Sequence, residues 1–271
     1  MTATFTKQDL WGRASLLGEA AALRWLGEAE AAGGLRVARV ISASEQTLVE
    51  ERIETCAPTR AAAERIGRAL AATHAAGAGW WGAPPPGWEG SYRIDDALTP
   101  MVGADDAPAT WGAFYAEHRV MAYVRELVSC GAFDAREAAV FERVAERLQA
   151  GYWDAPQPGL VGAGGHDVAR LHGDLWAGNL LWDADPGNAT SGALIDPMAH
   201  GGHAETDLAM LALFGCSYLQ VILSAYDEAS PLADDWQNRV ALHQLAPLLL
   251  HCVLFGGGYL GEALSIARRY A

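Results

Sequence analysis

The chain has 271 residues, a formal net charge of −14, 51% hydrophobic residues and four cysteines. That length allows one or two compact domains with a sizeable core. A strongly acidic surface repels nucleic-acid phosphates and anionic membranes, so neither is expected as a partner. Cys56, Cys130, Cys216 and Cys252 are widely spaced with no CxxC pair, which fits structural thiols in a reducing, cytoplasmic compartment. The first ten residues carry no signal-peptide pattern, and no apolar run reaches the roughly 18 residues of a membrane span.

In chain order, residues 4–7 read as a short strand. Residues 15–32 read as a helix with Leu16, Leu23 and Leu26 near helical spacing, ended by Gly33 and Gly34. Residues 35–41 and 46–53 are rich in β-branched and apolar types and read as strands. An alanine-rich helix, 61–76, follows Pro58 and Thr59. Residues 80–91 hold Pro84, Pro85 and Pro86 among aromatics and glycines, and read as an ordered loop or wall. Two long helices are expected over 111–130 and 135–150, then a glycine-rich connector at 159–165. That connector lacks the G-x-G-x-x-G of a dinucleotide-binding turn. Short strands and loops fill 168–202. Helices are expected over 205–218, 219–228 and 238–269, the first two in one reading continuous and the last broken at Gly256, Gly257 and Gly258.

Chemistry concentrates in Leu171-His172-Gly173-Asp174-Leu175-Trp176-Ala177-Gly178-Asn179, which contains H-x-D-x-x-x-x-N. In kinase-like phosphotransferases this spacing lets one loop do two things. An aspartate stands beside the acceptor hydroxyl, and an asparagine five residues on turns back to a phosphate-bound metal. Two apolar strands follow, 180–182 and 193–195, separated by a turn-rich stretch and ending at Asp196. Such a hairpin returns a carboxylate beside Asn179. Asp174 as base, with Asn179 and Asp196 as magnesium ligands, is the expected arrangement.

His-Gly-Asp-Leu-Trp-Ala-Gly-Asn also resembles the signature of the fructosamine (ketosamine) kinase family, and the stretch from Ile195 to Met210 resembles its second signature. Segments 67–74 and 111–119, together with Leu254, Phe255, Gly256 and Tyr259, are similar as well, so the resemblance runs from Phe5 onward. It implies an α+β, bilobal protein-kinase-like fold, with a truncated β-containing N-lobe over 1–54 and a mostly helical C-lobe over 55–271. It implies ATP- and Mg2+-dependent phosphorylation of a sugar hydroxyl on a small-molecule ketosamine or a glycated protein. By position, Asp207 would anchor the catalytic loop. Trp176, His172, His203 and Glu205 would face the substrate.

On the nucleotide side the resemblance makes Lys7 the phosphate-contacting lysine, held by Glu19, with backbone groups of Glu51, Arg52 and Ile53 on adenine. The chain departs from the family pattern in three places. Only six residues precede Lys7, whereas a glycine-rich hairpin over the phosphates needs about 12 to 15. A short-lobed branch, another covering element, or a start farther upstream would each account for this. Ala204 stands where the family usually has arginine, and residues 90–94 match the family's substrate-side loop only loosely.

Three rival readings stay open. His200, His203, Glu205 and Asp207 could form a hydrolytic metal site, although H-x-x-H is not H-E-x-x-H. The acceptor could be an aminoglycoside, choline or another amino sugar. The chain could also bind nucleotide or sugar without turning it over. Nothing in the sequence fixes the oligomeric state.

Overall fold

The structure, a computed structural model, describes residues 3–95 and 97–271. It opens with β1 (Thr4–Gln8) and α1 (Leu16–Gly27), the latter tightening into a 3-10 turn over Glu28–Ala32. Then come β2 (Arg36–Val37), β3 (Val40–Ala43) and β4 (Thr47–Glu51). β1, β4 and β3 form an antiparallel sheet in that order, with Lys7 opposite Leu48 and Phe5 opposite Glu50. Facing residues share a side of the sheet, so Lys7, Leu48 and Glu50 all point toward α1.

The expected strand over 35–41 splits. Its first half, β2, leaves this sheet and pairs in parallel with β9 (Gly192–Leu194), Arg36 opposite Ala193 and Val37 opposite Leu194. β9 pairs antiparallel with β8 (Leu180–Trp182), which is the hairpin expected from the sequence.

α2 (Arg60–Ala75) begins where the Thr59 hydroxyl accepts from Ala62 N at 3.2 Å. A small hairpin that the sequence did not announce follows, β5 (Tyr92–Ile94) and β6 (Ala97–Thr99). The helix expected over 111–130 is present but not uniform. α3 (Trp111–Tyr115) passes through a π turn at Ala116–Val120 into α4 (Met121–Ser129). α5 (Ala135–Gln149) starts at a reciprocal cap between Asp134 and Glu137.

The glycine-rich connector is in part helical, α6 (Gly159–Ala163), started by Pro158 and packed on α2. β7 (Ala169–Leu171) pairs with β10 (His200–Gly202) and so frames the H-x-D loop. α7 (Glu205–Leu213) and α8 (Leu219–Ala229) are separate helices, broken where Tyr218 adopts φ 56°. α9 (Trp236–Phe255) runs through Pro247, and α10 (Leu260–Tyr270) closes the chain. Leu23, Leu26, Leu70, Phe141 and Leu248 belong to one continuous core. Among the described residues no helix is long and apolar enough to cross a membrane.

Candidate active site

The loop between β7 and β8 is shaped by two glycines. Gly173 has φ 83°, and a Cβ there would stand 2.1 Å from Met198 O, so only glycine lets the chain turn toward Asp174. At Gly178 a Cβ would lie 2.3 Å from the Trp176 ring, so this glycine lets the indole fold back over the loop. Asp207, at the start of α7, holds the loop from beneath. Its carboxylate accepts from His172 N at 2.7 Å and Gly173 N at 3.0 Å. His74 Nε2 lies 3.2 Å from the same carboxylate, while His74 Nδ1 meets the Tyr226 hydroxyl at 2.8 Å. Burial alone would raise Asp207, but these donors hold it below the usual carboxylate range.

Asn179 Nδ2 donates to Asp174 O at 2.8 Å and to Asp174 Oδ2 at 3.0 Å. Both amide protons are therefore committed inward, and Oδ1 is left for a cation. Burial, with lesser contributions from Asp196 and Asp207, pushes Asp174 up to about 7. Asp196 follows β9 with φ 55°, a backbone strain that turns its side chain into the cleft. There it accepts from Lys7, which also donates to Glu19 on α1. Burial opposes the charge on Lys7, but Glu19 and Asp196 outweigh it and raise the ammonium above its ordinary value. Lys7, Glu19, Asp174 and Asp196 line one cavity of about 460 Å³. The Asp9–Ser15 turn and the β5–β6 hairpin close its front, bonded through Ser15 N to Arg93 O at 3.2 Å and Asp95 N to Arg13 O at 2.7 Å. The carboxylate of Asp196 and the uncommitted amide oxygen of Asn179 are hard oxygen donors of the kind that could hold a magnesium ion.

Other expected residues lie elsewhere. His172 is buried beneath the loop. Its Nδ1 accepts from Asp174 N at 3.2 Å, which leaves Nε2–H to donate to Ile195 O at 2.8 Å, so it shapes the loop and does not face substrate. Glu205 is buried in a bidentate pair with Arg239 at 2.6 and 2.8 Å. Burial works against its charge, but His243 and Arg239 bring it down to about 2, and it is not available to a ligand. His203 is buried, Nε2 facing Ala155 O at 3.2 Å, and burial drops it to about 4. It borders a narrow cavity of about 40 Å³ behind Asp174 and does not face the open cleft. Trp176 is 41% exposed beside Asp174, edge-on to Phe214 at 6.5 Å between centroids.

Glu51 spends its carboxylate on Arg36 at 2.8 Å and Arg39 at 3.3 Å, and its N–H on Arg39 O. Arg52 N donates to Ala3 O. Of the backbone N–H groups expected on adenine, those of Glu51 and Arg52 are therefore already bonded.

The hydrolytic set does not converge, because Asp207 faces the H-x-D loop. His203, Glu205 and His243 do approach one another, but Arg239 already neutralises Glu205. Sequence reading missed Glu50, a buried acid facing Lys7 at 3.9 Å. A charged residue in a short strand gave no sign that it pointed inward.

A sequence model of the family described as fructosamine kinase matches residues 9–270. A probable ketoamine kinase of Synechocystis sp. is 32% identical over 241 residues, covering 87% of this chain and 72% of that protein. Mouse ketosamine-3-kinase is 40% identical over 101 residues, only 37% of this chain and 30% of its own. Among solved structures, one assigned to fructosamine-3-kinase of Thermobifida fusca superposes with a TM-score of 0.82 at 38% identity, covering 99% of this chain and 85% of that one. A choline kinase of Streptococcus pneumoniae reaches a TM-score of 0.59 at 16% identity, with 99% and 85% covered, and shares the fold alone.

Proposed function

The chain belongs to the fructosamine kinase family and is a phosphotransferase of kinase-like fold; from that premise we propose that it phosphorylates a sugar hydroxyl of a ketosamine, using magnesium-bound ATP. Fructose- and ribulose-linked amines are the acceptor class, free or attached to protein. Mouse ketosamine-3-kinase and a rice protein-ribulosamine 3-kinase are named for such substrates.

The observation that carries the reading is the convergence of Asp174, Asp196 and Lys7 on one cavity, with Asp174 at about 7. A carboxylate in that range is half ionised near neutral pH and can take a hydroxyl proton as the new P–O bond forms. Asn179 Oδ1 and Asp196 would hold the magnesium, which supplies charge neutralisation on the phosphates. Lys7, oriented by Glu19, would meet the α- and β-phosphates. Ile53 N–H would position adenine, and we take the lobe boundary to fall just after it, near residue 54. Trp176 would wall the sugar. Asp207 and His172 would fix the loop that aims Asp174. Positioning and fixed charge would supply most of the rate.

ADP release from the purified protein tests this directly. Fructose- and ribulose-linked amines should turn over, and aminoglycosides and choline should not. Turnover of an aminoglycoside alone would refute the acceptor, and no ADP release with any acceptor would refute phosphoryl transfer.

A further inference from the structure

Glu50 is used by neither the fold nor the transfer chemistry. Its side chain is 4% exposed, and its Oε2 has no hydrogen-bond partner, while Oε1 lies 3.9 Å from Lys7 Nζ. A buried carboxylate oxygen left unpaired is costly unless a cation or a proton meets it. Two more acids converge on the same point from other elements, Glu19 from α1 and Asp196 from the end of β9. One carboxylate oxygen from each of the three lies within 4.8 Å of the others. The Lys7 ammonium sits among them, bonded to Glu19 and Asp196. Three acids thus face a single monovalent cation.

Hard oxygens around a cation form the donor set of a divalent ion such as Mg2+ or Mn2+. Lys7 is a point charge on a flexible, 19% exposed stem and can swing out. We propose that Glu19, Glu50 and Asp196 form a divalent-cation site that loads before any nucleotide, the ion taking the place of the Lys7 ammonium. This site shares Asp196 with the Asn179 pair but draws its other ligands from α1 and β4. The proposal rests on the phosphotransferase reading only in its later step, in which nucleotide arrives and Lys7 turns to its phosphates.

Nucleotide-free binding of Mn2+ by the whole chain, followed by electron paramagnetic resonance, provides the test. The parent protein should bind Mn2+ without nucleotide. Glu50→Gln should weaken that binding about tenfold or more, on the scale of losing a carboxylate that supports a metal. Glu64→Gln, at a surface acid on α2 outside the site, should leave it within about twofold. No binding by the parent, undiminished binding by Glu50→Gln, or equal loss in Glu64→Gln would each overturn the proposal. If Glu50→Gln fails to fold, the Glu50 carboxyl carbon resonance of the parent decides: selective broadening by Mn2+ upholds the site, and an unaffected signal removes it. Mn2+ bound through Glu50 in a protein that releases no ADP would keep this site and sink the phosphotransfer reading, and the opposite result would do the reverse.

Discussion

The burial that brings Asp174 to about 7 also costs the free protein stability. Its pKa in the folded chain lies above its unfolded value, so between about pH 4 and pH 7 the native state binds more protons than the unfolded one. Stability from this group is therefore full at low pH and falls as pH rises through that window. Asp174→Asn should lower turnover by about 10²–10⁴. The same variant should melt at a higher temperature than the parent at pH 8, with the difference shrinking toward pH 4, as scanning calorimetry can record. The kcat/KM of the parent, which reports the free enzyme, should climb with pH and level off above about 7. Asp196→Ala should abolish the magnesium dependence of ATP affinity in titration calorimetry, and an unchanged dependence would remove Asp196 from the metal. What a side chain touches was the least legible property. His172, His203 and Glu205 were singled out for their chemistry, but burial and local partners turned all three to support, and no spacing rule announces Arg239 behind Glu205.

Helices α2 and α8 pack tightly at Gly67. A Cβ there would come within 2.3 Å of Ile222 O and 2.9 Å of Ala225 Cβ. Gly67→Ala should therefore force α8 outward and destabilise the protein by about 1–3 kcal/mol, read as a lowered denaturant midpoint. α8 also carries Tyr226, the hydroxyl partner of His74, so loop anchoring through Asp207 should loosen with it. The β8–β9 hairpin was legible because two apolar runs flank a turn rich in Asp, Gly and Asn. The β5–β6 hairpin was not, since Tyr92–Ile94 and Ala97–Thr99 mix polar with apolar residues and form no apolar run. It forms because the Arg13–Ser15 backbone adds to it, a contact between segments nearly eighty residues apart. The helix in the glycine-rich connector hid behind its composition. Glycine lowers helix propensity, and packing on α2 overrides it.

Across the whole molecule, the N-terminal sheet region is tied to the β8–β9 hairpin by more than the chain running between them. β2 pairs with β9, and Ala38 N donates to Leu194 O at 3.1 Å. Arg36 spans Glu51 at 2.8 Å and Asp183 at 2.6 Å. The Ala38 amide should exchange with solvent at the slow rate of the β8–β9 hairpin and not at that of the β3–β4 sheet, which hydrogen exchange can resolve. Fast exchange at Ala38 would mean the two lobes part readily. A gap sewn at its rear by β2 and at its front by the Arg13–Ser15 seam is braced on two sides, and both seams oppose its widening.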